Sequence, residues 1–285
     1  MSQVVVQLFS NPGSGRHTAR KIAALIRAFE GLGATVVHSE SAQGIPQIRD
    51  DADHVCIAAG DGTVRHVAGA VARSGRPVPL SIYPAGTVNL LAMEAGYPRN
   101  PRRFARMVLE SEGSRPHYPV TIGDGYFFAC AGVGPDAFAV ARVSSSLKRQ
   151  IGRLAYAAAT LGLLRDWPRQ TIRLTCDGGE TQCEAFYVAK GRYYAGRWSF
   201  AREARVHEPT LRVVALRQAR RRDYARFLWA VLTGGDVAAL ANVAVFQCKT
   251  LTAVSDAPLE IQADGDIVGT LPATMTVAEA PLVFC

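Results

Sequence analysis

Apolar residues in the first hundred positions come in two alternating rhythms. The run VVVQLF (4–9) has the length and β-branched content of a buried strand, and the turn NPGSG (11–15) follows it. Beyond that turn, Ile22, Leu25, Ile26 and Phe29 recur at helical spacing, with Gly31 and Gly33 placed to end the helix. ATVVHSE (34–40) predicts a second strand, HVCIAA (54–59) a third and PLSIYP (79–84) a fourth. The helical patterns TVRHVAGAVARSG, VNLLAMEAG and PRRFARMVLES are interleaved with and follow them. Strand and helix in this alternation predict a parallel sheet with crossover helices.

The rhythm changes near residue 117. HYPVTIGDGYFFACAGVG reads as two strands about a Gly-Asp-Gly turn, and TIRLTCDGGETQCEAFYVAKG as a second hairpin turning at 177–180. LRVVAL, VAVFQCKTLTAV, LEIQADGD and ATMTVAEA continue as strands. Helical patterns interrupt them over about 145–166 and in RRDYARFLWAVLTGG. The pattern predicts two domains: an N-terminal α/β domain with a parallel sheet over 1–116, and a C-terminal, mostly antiparallel β domain over 117–277. A ligand cleft is expected between them.

A length of 285 residues suits two such domains, and a composition of 48% hydrophobic and 20% charged residues is that of a globular protein. Charge changes the picture more. Lys and Arg number 32 against 24 Asp and Glu, a net charge of +8, which fits anionic partners and a merely solubilising surface about equally. Nucleic acid is not expected, because no nucleic-acid-binding motif accompanies the charge. Nucleotide phosphates and acidic lipid surfaces remain. Arg217, Arg220, Arg221, Arg222 and Arg226 precede or share a helix with Phe227, Leu228, Trp229, Val231 and Leu232, and Lys148, Arg149 and Arg153 stand before Leu154, Tyr156 and Leu161. Arginines beside aromatic and aliphatic residues suit an anionic bilayer surface, although packing against the chain's own domain explains most of each apolar face. The six cysteines form no CxxC pair and no zinc-ligand pattern, so they read as free thiols in a reducing compartment. The chain opens on a strand without a basic leader, and LAYAAATLGLL (154–164) is too short to span a bilayer. A cytoplasmic protein, peripheral to the inner face of the membrane, is expected.

Three turns share one design. NPGSG (11–15), GDGT (60–63) and AGT (85–87) each follow a predicted strand and open a predicted helix, which puts them at the carboxyl edge of the parallel sheet, where ligands bind. Glycines allow close approach of the backbone, helix N-termini direct N–H groups at an anion, and Ser14, Thr63 and Thr87 add hydroxyls. One such turn is ordinary; three in a basic chain point to a phosphate-bearing ligand. Asp61 would repel bare phosphate. It fits either a divalent cation between the two or a helix N-cap. Asp264 and Asp266 flank Gly265. On an extended strand they would share a face and bind a metal, or one would take a proton, whereas Asp-Gly is also a standard hairpin turn, the reading that spacing favours. The match of 132–137 to G-x-G-x-x-A is loose and unsupported by an acidic partner.

Taken in order, these segments resemble the bacterial diacylglycerol/lipid kinase family, the group with the diacylglycerol kinase catalytic domain that also includes sphingosine kinases. NPGSG resembles its first nucleotide loop, AAGDGTV (58–64) its GGDGT signature, PAGTVNLLAMEAG (84–96) its GT-x-N helix start, GVGPDAFAV and LKRQIGRLAY its central segments, and ADGDIVGTLP its late DGE-type motif. The resemblance implies an NAD kinase/diacylglycerol kinase-like N-terminal domain, a β-rich C-terminal domain, a nucleotide cleft between them, and a tail (about 278–285) that returns to the first domain. It implies ATP, Mg²⁺ and a lipid alcohol. Asn11, Ser14, Gly15, Gly60, Asp61, Gly62, Thr63, Gly86, Thr87 and Asn89 then line the nucleotide, Asp61 and Asp266 serve the metal, and Asp264 is the base that activates the lipid hydroxyl. The chain departs from the family pattern at Ala59, where the first Gly of GGDGT is usual, at Arg65 and His66, where Asn-Glu is common, and at Asp266, where Glu is usual. Glu208 alone is acidic where some members carry an Asp-Asp-Gly segment for a structural Mg²⁺. The acceptor lipid and the oligomeric state, a homodimer included, stay open. So do two alternatives: a kinase of a soluble substrate such as NAD, and a nucleotide- or lipid-binding relative without catalysis.

Overall fold

β1 (Val5–Ser10) is buried over five of its six residues and pairs in parallel with β2 (Thr35–Glu40) on one side and β3 (His54–Ala59) on the other. In the computed structural model, which describes residues 3–15, 17–40, 46–110, 113, 115–142 and 169–285, the chain divides into two units, Met1–His117 with Ala280–Cys285, and Tyr118–Glu279.

In the first unit the sheet continues from β3 to β4 (Leu80–Pro84), then to the last strand of the chain, β18 (Leu282–Phe284), and ends on β5 (Arg115–His117). All pairs are parallel except β18 with β5. Every residue of β3 is buried, the signature of a parallel strand covered on both faces. Helices α1 (Ala19–Glu30), α2 (Asp61–Ser74), α3 (Leu90–Glu94) and α4 (Pro101–Glu110) lie between or after the strands. The apolar stripe read in α1 is its buried side, Ile22, Leu25 and Phe29, with Thr18 capping its start. Phe29 meets Phe104 of α4 edge-on at 6.1 Å, and Phe104 meets Tyr83 of β4 at 5.2 Å, so one fully buried ring ties two helices to the sheet.

The second unit holds two six-stranded antiparallel sheets. The first contains β6 (Val120–Ile122), β7 (Gly125–Phe127), β9 (Ile172–Cys176), β10 (Gly179–Cys183), β14 (Thr250–Ser255) and β17 (Ala273–Val277). The second contains β8 (Cys130–Val133), β11 (Ala185–Ala189), β12 (Leu211–Leu216), β13 (Val243–Cys248), β15 (Glu260–Ala263) and β16 (Asp266–Thr270). Val120, Phe127, Leu174, Leu251 and Met275 of one sheet form a single apolar cluster with Val133, Phe186, Val213 and Ile261 of the other, which makes the unit a sandwich. Helix α5 (Pro135–Arg142) follows β8, and α6 (Arg221–Thr233) follows β12. The helical pattern expected over about 145–166, with Lys148, Arg149 and Arg153, lies outside the described residues.

Three apolar runs that read as continuous strands are divided here between the two sheets. YFFACAGVG breaks after β7, QCEAFYVA breaks at Glu184 between β10 and β11, and VAVFQCKTLTAV breaks at Lys249 between β13 and β14. At two of the crossings a side-chain carboxylate receives the backbone. Asp264 accepts from the N–H groups of Phe128, Ala129 and Cys130, and Asp177 from that of Lys249. A backbone leaving one ladder for another has donors without strand partners, and each needs an acceptor. The break is therefore invisible to hydrophobic periodicity, which does not record which strand is the neighbour.

Candidate functional site

The three turns at the carboxyl ends of β1, β3 and β4 form one assembly. Asn11 holds the first turn by accepting the N–H of Gly13 at 2.8 Å, and its Nδ2 donates to Thr63 Oγ1 in the second turn at 2.8 Å. The N–H of Gly60 donates to Ser14 Oγ at 3.3 Å. Gly60 and Gly86 touch backbone to backbone: a Cβ on Gly86 would lie 2.3 Å from the Cα of Gly60. A Cβ on Gly15 would lie 2.6 Å from Thr87 Oγ1, so the first turn also meets the third. The glycines are thus required by mutual approach of the turns, and their N–H groups hold the turns together, Gly60 donating to Ser14 and Gly86 to Asn89.

Asp61 and Asn89 lock the second turn to the third. Asn89 takes left-handed backbone angles (φ 64°, ψ 61°), and its side chain closes on Gly86 twice, accepting the Gly86 N–H at 2.7 Å and donating to the Gly86 carbonyl at 2.9 Å. The Asp61 carboxylate accepts from the N–H groups of Asn89 at 2.9 Å and Leu90 at 2.7 Å. Asp61 is therefore an N-cap, but of α3 rather than of its own helix. At the start of α2 the cap residue is Gly60, which supplies no side-chain cap. The N-terminus of this 14-residue helix presents its dipole beside the Gly60–Gly86 contact, and a helix start of this kind receives anions. Ala59 is the fully buried last residue of β3, where its methyl joins the core.

In the second unit, β15 and β16 pair with Ala263 opposite Asp266, so Asp264 and Gly265 are the two turn residues, both with positive φ (49° and 87°). This is the hairpin turn and not an extended strand. Asp264 and Asp266 consequently do not stand as i and i+2 on one strand face. Asp264 is 6% exposed, and its carboxylate accepts the N–H groups of Phe128 at 2.8 Å, Ala129 at 2.9 Å and Cys130 at 3.1 Å. Those bonds fix its position to the start of β8. Among the described residues no cluster of three or more His, Cys, Asp or Glu could hold a metal ion. Mg²⁺, which keeps its waters and binds through one or two carboxylates and substrate phosphates, fits as a companion of a nucleotide.

Asp136 is the group that sequence reasoning passed over. It lies in the first turn of α5, and its Oδ2 accepts from the Tyr194 hydroxyl and from Gln262 Nε2, each at 3.3 Å, while Oδ1 is buried without a hydrogen-bond partner. Gln262 in turn accepts the Gly265 N–H at 3.3 Å, which connects Asp136 to the turn of Asp264. Burial pushes the Asp136 carboxyl up to about 6, with neighbouring N–H groups, Tyr194 and Gln262 opposing that rise. The folded state holds this proton more tightly than the unfolded chain does, so the group favours folding most at low pH. We expect that contribution to fall by roughly 2–3 kcal/mol as pH rises from about 4 to 7. Asp136→Asn should remove the dependence. Urea unfolding across that range should show the variant gaining on the wild type as pH rises, and parallel curves would refute the assignment. The signal that could have found Asp136 is a lone acid at a helix start between Gly134-Pro135 and an apolar run.

Lys190 is fully buried, its ammonium donating to the carbonyls of Arg205 at 3.0 Å and Glu208 at 2.5 Å. The segment around Glu208 is thus held by a cation from the chain itself.

An open, mostly parallel sheet with glycine-lined turns at its carboxyl edge, followed in the chain by an antiparallel sandwich, defines a two-unit chain of α/β and β type. The chain belongs to the diacylglycerol/lipid kinase family: residues 5–117 match the diacylglycerol kinase catalytic domain, and residues 129–283 match the YegS C-terminal NAD kinase beta sandwich-like domain. It is 24% identical over 282 residues to the diacylglycerol kinase of Bacillus subtilis (strain 168), covering 93% of this chain and 91% of that one. It is 27% identical over 223 residues to a "Probable lipid kinase YegS-like" protein of Pseudomonas aeruginosa (strain UCBPP-PA14), covering 78% and 70%. A solved structure described as a diacylglycerol kinase from Bacillus anthracis str. Sterne shares the fold at 15% identity, with a TM-score of 0.71 over 98% of this chain and 95% of that chain.

Proposed function

We propose that this protein is an ATP- and Mg²⁺-dependent lipid kinase that phosphorylates the hydroxyl of a diacylglycerol-like lipid at an anionic membrane surface. The observation that carries the reading is the start of α2, which has no side-chain cap, set against the Gly60–Gly86 contact and framed by Asn11, Ser14, Gly15, Gly62, Thr63, Thr87 and Asn89. The first N–H groups of α2 and its dipole would receive phosphate oxygens, and phosphoryl transfer depends mainly on such positioning and charge neutralisation. Asp61 keeps the second and third turns in register, and its carboxylate is the first unit's candidate to meet a nucleotide-borne Mg²⁺. Bound with ATP, Mg²⁺ would neutralise phosphate charge. Asp264 is assigned the proton of the lipid hydroxyl, and its three N–H bonds hold it still, as a positioned base requires.

The net charge of +8 supports an anionic surface as the place of work, with the protein on the inner face of the membrane. No helix among the described residues is long and apolar enough to cross a bilayer. Incubating the protein with γ-labelled ATP, Mg²⁺ and a total lipid extract should label a lipid whose mass identifies it as the phosphorylated alcohol. Label in NAD, offered in parallel, and none in lipid would overturn the proposal.

A further inference from the structure

Helix α6 has two unlike sides. Tyr224, Phe227, Ala230 and Val231 are buried, and the Phe227 ring stacks on Tyr187 of β11 at 5.0 Å, so the inward side is fully used. The outward side carries Arg222, Arg226, Trp229 and Leu232 on neighbouring turns, all exposed. Trp229 is 69% exposed and Leu232 49%. Just beyond the helix, Gly235, Ala238 and Ala239 are exposed as well. Arg202, also exposed, donates to the carbonyl of Gly234 at the helix end, which places a third cation beside the apolar tip. Two acids stand nearby, the Asp223 side chain, 11% exposed and 3.9 Å from Arg222, and the exposed Asp236, which accepts the N–H of Ala238, so the cations outnumber them.

We infer that this tip docks on an anionic lipid bilayer, with Trp229 and Leu232 entering the headgroup layer and Arg202, Arg222 and Arg226 over the lipid phosphates. The inference rests on the lipid kinase reading for its biological sense, and on charge and residue type for its choice of occupant. An indole with one apolar and one polar side is suited to the membrane interface, and arginines around it favour acidic headgroups. Within the second unit, neither the core nor the turns described above use these side chains.

Vesicle flotation without nucleotide tests the surface separately from phosphoryl transfer. Wild-type protein should float with vesicles of phosphatidylcholine and phosphatidylglycerol, with a blue shift in tryptophan emission. The double variant Trp229→Ser, Leu232→Ser should bind these vesicles at least tenfold more weakly, lose the blue shift and keep its unfolding temperature. Arg222→Gln with Arg226→Gln should bind pure phosphatidylcholine vesicles as the wild type does and lose the preference for phosphatidylglycerol. Unchanged flotation of the first variant overturns the inference. So does a wild-type dimer in sedimentation that the same variant dissolves, because the face then belongs to a second copy. If flotation behaves as expected while no lipid is phosphorylated, the surface stands and the kinase reading falls.

Discussion

Asp264→Ala should lower the stability of the protein by about 4 kcal/mol, because three buried N–H groups lose one charged acceptor and alanine is strained at φ 49°. Asp264→Asn should cost about half as much. Asparagine tolerates the left-handed turn and keeps one acceptor oxygen, but it turns an NH₂ group towards a backbone donor. Both variants should lose at least 10²-fold in lipid phosphorylation if Asp264 is the general base. Urea unfolding followed by a kinase assay on the folded fraction separates the two roles. An Asn variant with full activity would remove Asp264 from the chemistry and leave it as the clasp of the β7–β8 crossing. An Ala variant with an unchanged urea midpoint would dismiss the clasp.

Gly86→Ala should be the most damaging single methyl in the first unit. The new carbon would sit 2.3 Å from the Cα of Gly60 and 2.9 Å from Asn89 Oδ1, and neither neighbour is the free end of a flexible side chain. Overpacking of this kind costs about 3 kcal/mol. Relief requires the turns to part, so affinity for a non-hydrolysable ATP analogue should drop at least tenfold. Gly60→Ala meets Gly86 Cα at 3.3 Å and should be milder, and Gly178→Ala, with nothing within 4 Å, should be neutral. Thermal unfolding with calorimetric titration checks this order. A Gly86→Ala protein that melts and binds like wild type would sink the account of the turns as one packed assembly.

How legible these features were depended on sequence distance. The strand and helix pattern of the first unit was readable because each apolar run ends in a glycine-bearing turn within a few residues. GDGT announced a turn before a helix, yet the groups Asp61 caps are 28 and 29 residues away, so the chain order named the wrong helix. The Asp-Gly turn at 264–265 was readable as a hairpin, whereas the amides that Asp264 serves lie 134–136 residues earlier. In the sandwich, alternation located the strands and not their sheets, since FFAC and QCKT look the same whether the chain keeps its partner or changes it. In α6 the residue types fitted a packed face for most of the helix and left the arginines over for a membrane contact, without saying which aromatic went where. Packing decided it, with Phe227 inward and Trp229 outward. Asp136 carried no readable partner at all, because Tyr194 and Gln262 reach it from 58 and 126 residues away.

The place of β18 sets a timetable for the newborn chain. Among the described residues β5 pairs with no strand except β18, and β18 pairs with β4 as well. Tyr97 reaches the Cys285 carbonyl, and the Cys285 N–H reaches Leu80. During translation at about 5–20 residues per second, β4 and β5 therefore emerge and wait roughly 10–30 s before the strand that joins them is made. For that interval the edge of β4 is an open template for other chains. A chain cut between Glu279 and Leu282 would keep the second unit's residues and leave the first unit's sheet without the strand that joins β4 to β5.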